Sequence, residues 1–317
     1  MVMTYNIAII VCYFGQFPEH FPLFILSCNA NPTVDFYIIT DQFVKDVKNV
    51  YFITMPFLKF KENVQKCFDF EITLDKAYKI CDYRPAFGVI FSDLLQRYDF
   101  WGHCDIDEIF GDIRGYIDYN ILNTNDKIYQ NGHLTLYRNV DRINRAYCLQ
   151  GGPDYHRIFT TRVNCVFDEG EGIQKIFDAN NISTYKDFHC ADISRKYHQF
   201  RLCAYLPKSK DQEKFQGQIY YYENNKIYRA YAVDSHIETE EYIYIHFSGR
   251  TPRLFIDKNA NIFFITNTGL YPKIAGTVTL NDMQRYNSYN FSKEMHALGL
   301  YYWKKWNRRF NKYVLHK

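Results

Sequence analysis

The sequence predicts an α/β protein with a mostly parallel sheet, helices on both faces of that sheet, and a mixed second half. Three observations predict it. Short apolar runs alternate with helical stretches between residues 5 and 104. After Asp126 the runs shorten and pair across turn residues. Of 317 residues, 47% are apolar and 23% charged, which suits a chain that buries a sizeable core and excludes a disordered or collagen-like one.

Tyr5–Tyr13 is β-branched or apolar at nearly every position and reads as a strand buried on both faces. Gly15 ends the run, and Phe21–Asn29 follows as an apolar helix. Asp35–Thr40 and Val50–Thr54 are further buried strands. Pro85–Arg97 reads as a helix with proline in its first turn. Tyr98–Cys104 is the next strand and ends at Asp105. This alternation makes βαβ units, whose ligands sit beyond the carboxyl ends of the strands. Lys127–Gln130 and His133–Tyr137 read as short strands, and Asn139–Leu149 as a helix. Arg201–Leu206, Gln218–Glu223, Ile227–Ala232, Tyr242–Phe247 and Asn261–Thr266 are strand-like, with a hairpin turn at Asn224-Asn225. The expected division is a ligand-binding half over 1–126, a second half of the same continuous domain over 127–292, and a tail over 293–317.

The tail carries the charge asymmetry. Trp303–Lys317 holds six Lys/Arg and no acid; removing six of 38 leaves 32 basic against 35 acidic residues, a net −3 for the rest. Trp303, Trp306, Phe310 and Tyr313 follow helical spacing among Lys304, Lys305, Arg308, Arg309 and Lys312. Such a helix suits an anionic membrane surface. The plain alternative is a helix that docks its aromatic face on the body, with its charges solvated outside. The acidic body has no basic groove, so no nucleic-acid partner is expected. Nine cysteines, an odd number without CxxC pairs, fit a reducing cytoplasm. The start lacks a basic n-region, and no run of about 18 apolar residues exists, so a cytoplasmic chain, peripheral at most on the inner membrane face, is expected. Aromatics reach 19%, which offers stacking surfaces for sugars or bases and for a core alike.

The informative segment is Tyr98–Tyr116, YDFWGHCDIDEIFGDIRGY. Asp105 and Asp107 bracket Ile106 just past a buried strand. Two carboxylates there can converge on one hard cation, Mn²⁺ or Mg²⁺, which would also hold a diphosphate. Chance alone supplies about two such triplets in a chain of this aspartate content, and a capping turn explains an isolated one as well. The position at a strand end is what argues for a site.

The string YDFWGHCDIDEIFGDI resembles the metal-binding strand end of bacterial GT-A-fold glycosyltransferases of cell-surface polysaccharide biosynthesis. The resemblance extends, in order, to Cys12–Gly15, Thr40-Asp41, Asp82–Gly88, Gly132–Asn139 and Tyr244–Phe247. It implies a GT-A-like, Rossmann-like fold, a nucleotide-sugar donor of uridine-diphosphate type and a divalent metal. It implies hexosyl transfer to a capsule- or O-antigen-type glycan, free or lipid-linked. In similar enzymes the region of Tyr13 and Gly15 touches the uridine and that of Asp41 the base or ribose; a strand-to-helix turn and a helix N-cap are the alternatives. A late histidine, here His246, completes the metal shell with Asp105 and Asp107 in many such enzymes, while a strand-end histidine bonded to a carbonyl is the plain reading.

Other residues carry their own readings. Arg84, with Gly88 beside it at a helix start, can meet a phosphate oxygen, or pair with Asp82 or Asp93. Arg250 can hold the diphosphate. Asp168 and Glu169, on the Gly-flanked loop VFDEGEG, are candidates for the base an inverting transferase needs, or cap the helix Ile173–Asn180. Asp187, His189 and Asp192 form a loose polar cluster without a pattern. A nucleotidyltransferase would normally carry a Gly-rich phosphate loop with lysine after the first strand, and CYFGQFPEH has neither. A non-catalytic carbohydrate-binding protein would explain the aromatics but needs no carboxylate pair at a strand end.

Overall fold

The computed structural model describes residues 4–207, 217–234 and 236–314, apart from the side chains of 308–314. In chain order the strands are β1 (Ile7–Cys12), β2 (Val34–Thr40), β3 (Val50–Thr54), β4 (Phe100–Cys104), β5 (Glu108–Phe110), β6 (Lys127–Asn131), β7 (Leu134–Arg138), β8 (Thr184–Tyr185), β9 (Ala191–Asp192), β10 (Gln218–Glu223), β11 (Lys226–Val233), β12 (His236–Tyr242), β13 (Tyr244–His246), β14 (Arg253–Leu254), β15 (Ile262–Ile265) and β16 (Gly269–Pro272). The chain divides into two compact units. Unit 1 takes the residues up to Phe17, Cys28–Ile106 and Ile113–Asp187; unit 2 takes Pro18–Ser27, Asp107–Asp112 and the chain from Phe188.

Unit 1 is α/β. Its seven-stranded sheet has the order β3-β2-β1-β4-β7-β6-β8. β1 pairs in parallel with β2 and β4, β2 with β3, and β6 with β8. β7 alone runs against its neighbours β4 and β6. The apolar runs become buried strands because helices cover them: Ala8, Ile10, Ile39, Trp101 and Tyr137 share one core with Phe60 and Val64 of Phe57–Gln65, and with Ile176 and Phe177 of Ile173–Ala179. Each large aliphatic or phenylalanine side chain among them contributes about 1.5–3 kcal/mol on leaving water. Successive strands run outward from β1 to β3, and the chain then returns to place β4 on the other side of β1. That reversal is the switch point at which open α/β sheets bind ligands.

Unit 2 is mostly antiparallel. One sheet has the order β12-β11-β10-β15-β16-β14, and a second has β5-β13-β9. Asn224 and Asn225 take φ of +53° and +59°, the left-handed pair that closes a two-residue hairpin between β10 and β11. A 24-residue helix, Phe291–Val314, ends the described chain. No helix among the described residues is long and apolar enough to cross a membrane. All nine cysteines are free thiols.

Several expectations are corrected. Pro85–Arg97 is not one helix: a 3₁₀ stretch, Ala77–Ala86, leads into the short turns Phe87–Ile90 and Ser92–Leu95. Pro85 removes an N–H, and distant bonds hold the earlier turn. Asp82 accepts the N–H groups of Cys165 (2.8 Å) and Phe167 (2.9 Å), and Lys79 pairs with it at 2.6 Å. Asn139–Leu149 breaks into Asp141–Asn144 and the 3₁₀ turn Ala146–Cys148. There the Asn144 side chain is engaged by Trp101 Nε1 at 2.6 Å and bonds Asn139 at 2.8 Å, so local polar bonds compete with a longer helix. Arg201–Leu206 is a turn with a single bridge, Ile193 to Leu202, because the Leu206 N–H closes on the Cys203 carbonyl. Strand β12 was not anticipated.

Candidate functional site

The carboxyl edge of the unit 1 sheet gathers polar groups at the switch point. The register pairs Ile10 with His103, so β1, ending at Cys12, and β4, ending at Cys104 before Asp105, run side by side to this edge. Tyr13 carries the chain off β1, its N–H bonded to the Ile39 carbonyl at 2.9 Å and its ring stacked on Phe17. Gly15 has φ +107°, and a Cβ there would meet nothing within 4 Å. Backbone conformation, not crowding, calls for glycine at this open position. The Gly15 N–H donates to Asp41 Oδ1 at 2.9 Å, and Gln42 Nε2 adds a bond at 3.1 Å. These two bonds hold the Asp41 carboxyl below its ordinary range. No helix starts at Asp41, so it serves no N-cap.

Arg84 is the hub of the same edge. Its Nη1 donates to Asp168 Oδ2 (2.8 Å) and to the Gly132 carbonyl (2.9 Å), while its Nη2 donates to Asp105 Oδ1. Neither Asp82 nor Asp93 is its ion-pair partner. Burial works against the guanidinium charge, but Asp105 and Asp168 outweigh it and keep the group protonated. Asp168 is 2% exposed, and its Oδ1 has no hydrogen-bond partner. Burial raises its carboxyl to about 7, against the pull of Arg84 and with a further push from Asp105 and Glu169. Glu169 beside it is exposed. The helix that follows is capped at Gly172, so Asp168 is not its cap. A Cβ on Gly132 would stand 2.8 Å from Asp168 Oδ2, so glycine there lets the loop close on the sheet. His103 is buried, with Nδ1 bonded to the Gly132 carbonyl at 3.1 Å; burial first, then the charges of Arg84 and Lys127, keep it neutral.

Unit 2 holds a second cluster. Asp107 opens the segment leading to β5, and β13 carries His246. His246 Nε2 lies 3.6 Å from Asp107 Oδ1, and the Gly249 N–H donates to Asp107 Oδ2. On its other side His246 Nδ1 meets Asp192 Oδ1 at 2.7 Å. Ser248 Oγ donates to the same Asp192 oxygen at 2.8 Å, and Tyr205 donates to Oδ2. Burial alone would raise the Asp107 carboxyl; the imidazole and the Gly249 N–H reverse this and bring it to about 2. Burial disfavours the His246 cation, and Asp107 and Asp192 more than restore it. A carboxylate on Nδ1 fixes the ring and turns Nε2 outward, the usual arrangement behind a metal-bound histidine. Donors 3.6 Å apart can both reach one ion at bond lengths of about 2.1 Å, and one imidazole with carboxylate oxygen suits Mn²⁺.

The structure thus joins Tyr13, Gly15 and Asp41 in one group, Arg84, Asp105, Asp168 and Glu169 in another, and Asp107 with His246 in a third. Two residues stand elsewhere. Gly88 is packed in the core, where a Cβ would lie 2.5 Å from Asn144 Oδ1 and 2.7 Å from Trp101 Nε1. Arg250 donates to the carbonyls of Ser194 (2.7 Å) and Tyr197 (2.9 Å) and lies over Phe200. Asp192 stands out in the sequence only as part of a loose polar cluster with Asp187 and His189. Its place depends on the parallel register that sets it beside His246, 54 residues on.

A family model described as a family of unknown function, DUF6625, matches residues 9–274, and the chain belongs to that family. No curated protein matches it. Among solved structures it is similar to the apo-form glycosyltransferase GlyE of Streptococcus pneumoniae TIGR4, at 12% identity and a TM-score of 0.34, over 59% of this chain and 46% of that one. The chain therefore spans less than half the length of that structure.

Proposed function

We propose that this member of the family is a metal-dependent glycosyltransferase. It moves a hexosyl group from a nucleotide-diphosphate sugar, of uridine-diphosphate type, to a bacterial surface glycan of capsule or O-antigen type. The observation that carries the reading is the acidic strand end: the switch point of the sheet ends in Asp105, and the next carboxylate along the chain, Asp107, faces an imidazole already oriented by Asp192. The Gly15 and Asp41 pair supports a nucleoside contact at the same edge. Arg84 holds Asp105 in place and is occupied by carboxylates, so it acts by positioning rather than by gripping phosphate. Glu169, exposed beside a buried Asp168, is the carboxylate of the two that an acceptor hydroxyl can reach in an inverting reaction. Mn²⁺ or Mg²⁺, held by Asp107 and His246, would offset the charge on the departing diphosphate.

The test is hydrolysis and transfer with a panel of nucleotide sugars, with and without Mn²⁺. Turnover is expected only with metal, and Asp107→Ala is expected to lower it by about a thousandfold. Undiminished turnover after chelation, or in Asp107→Ala, refutes the reading. Metal-independent binding of glycans with no nucleotide binding would assign a carbohydrate-binding protein instead.

A further inference from the structure

The helix Phe291–Val314 is fastened to unit 2 along a narrow strip. Glu294 is buried, and its carboxylate accepts the N–H groups of His198 (2.8 Å) and Gln199 (2.9 Å). Ala297, Leu298 and Tyr301 follow at helical spacing and are half-buried. The neighbouring face differs. Phe291, Met295, Tyr302, Trp303 and Trp306 fall within about 120° of one another at 100° per residue. All five are exposed, between 52% and 67%. An amphipathic helix normally turns such a face to a core; this one turns it to solvent.

Charge completes the pattern. Glu294 is the one acidic residue of the helix, and it points inward into hydrogen bonds. Lys293, Lys304 and Lys305 are exposed. Arg308, Arg309 and Lys312 continue the series, with Phe310 and Tyr313, although their side chains lie outside the described residues. At about 1.5 Å per residue the helix is roughly 36 Å long, yet it is not apolar enough to cross a membrane.

We propose that this face docks the protein on an anionic bilayer surface. The helix lies in the plane, its exposed aromatic side chains enter the headgroup boundary, and its excess of basic residues draws it to anionic lipid. A second copy of the chain is the poorer occupant, because a symmetric contact would bring two basic helices face to face. The inference holds whatever reaction unit 1 supports.

Full-length protein is mixed with phosphatidylcholine vesicles, with and without phosphatidylglycerol. Two of the three tryptophans lie on this helix and the third, Trp101, is fully buried, so a blue shift of the emission reports on the helix. Binding and a blue shift are expected with anionic vesicles only, and weaken with salt. Trp303→Ser with Trp306→Ser, and separately Lys304→Glu with Lys305→Glu, are each expected to lower binding by about tenfold or more. Circular dichroism confirms that the variants stay folded. Absence of binding, or binding that neither pair alters, overturns the proposal. Lipid-free dimers in light scattering that the tryptophan pair abolishes also overturn it and assign the face to a second copy.

Discussion

The polar cluster of unit 1 and that of unit 2 each set aspartates around one cation, and the cations are of different kinds. Arg84 stands between Asp105 and Asp168 and cannot release its proton. His246 stands between Asp107 and Asp192 and can exchange a proton for a metal ion. The first cluster is a fixed lock on the end of β4. The second is a replaceable one, with Asp192 keeping the ring aligned. Two aspartates of one short motif, separated by a single isoleucine, thus do different physical work because of the cation each meets.

The largest way to break this comparison is Arg84→Met. It leaves Asp105 and Asp168 without their counter-ion, and a loss of about 3 kcal/mol in denaturant unfolding is expected. Arg84→Lys keeps the charge but loses the fork and should cost less. An unchanged midpoint in Arg84→Met means that the cluster locks nothing. Next comes Asp192→Ala, which frees the imidazole to rotate. Calorimetric titration with Mn²⁺ should show affinity about 10- to 100-fold weaker with the fold intact. Wild-type affinity would mean that His246 needs no orienting partner.

The smallest effect contrasts Arg84 with another buried cation of unit 1. Lys127 bonds the Gln174 amide oxygen at 2.7 Å and lies over the rings of Tyr137 and Phe177, and the charges of Asp178 and Asp168 do not offset its burial. Burial lowers its ammonium from 10.5 to about 7. The native state therefore binds fewer protons than the unfolded chain between those values. Stability should rise with pH between about 7 and 10.5, by about 1 kcal/mol per unit, and level off below 7, where both states carry the proton. Thermal melts from pH 7 to 9 should show that slope, and Lys127→Met should flatten it.

Much of unit 1 was legible because burial on both faces writes continuous apolar runs. IAIIVC, VDFYIIT and VYFIT are strands within a residue or two of expectation. Strand β12, HIETEEY, was not legible: it is a sheet edge rich in glutamate and partly exposed, and its β character comes from pairing with β11. The helix expected after Pro85 failed because Asp82 and Lys79 bind partners some 80 residues away, which no local window contains. The site divides in the same way. Asp105 and Asp107 could be read from the end of an apolar strand, and Arg84 could be singled out, but its pairing with Asp168 could not. Long-range register, not local pattern, placed Asp192.

Gly88 shows how far the acidic edge depends on a missing methyl group. Trp101 lies near the start of β4, stacked on Tyr137, and its indole N–H reaches Asn144 through the space that Gly88 leaves open. Any side chain there would press on the indole and tilt the strand it anchors. The aim of Asp105, seventeen residues downstream, is therefore set partly by an atom that the chain does not have.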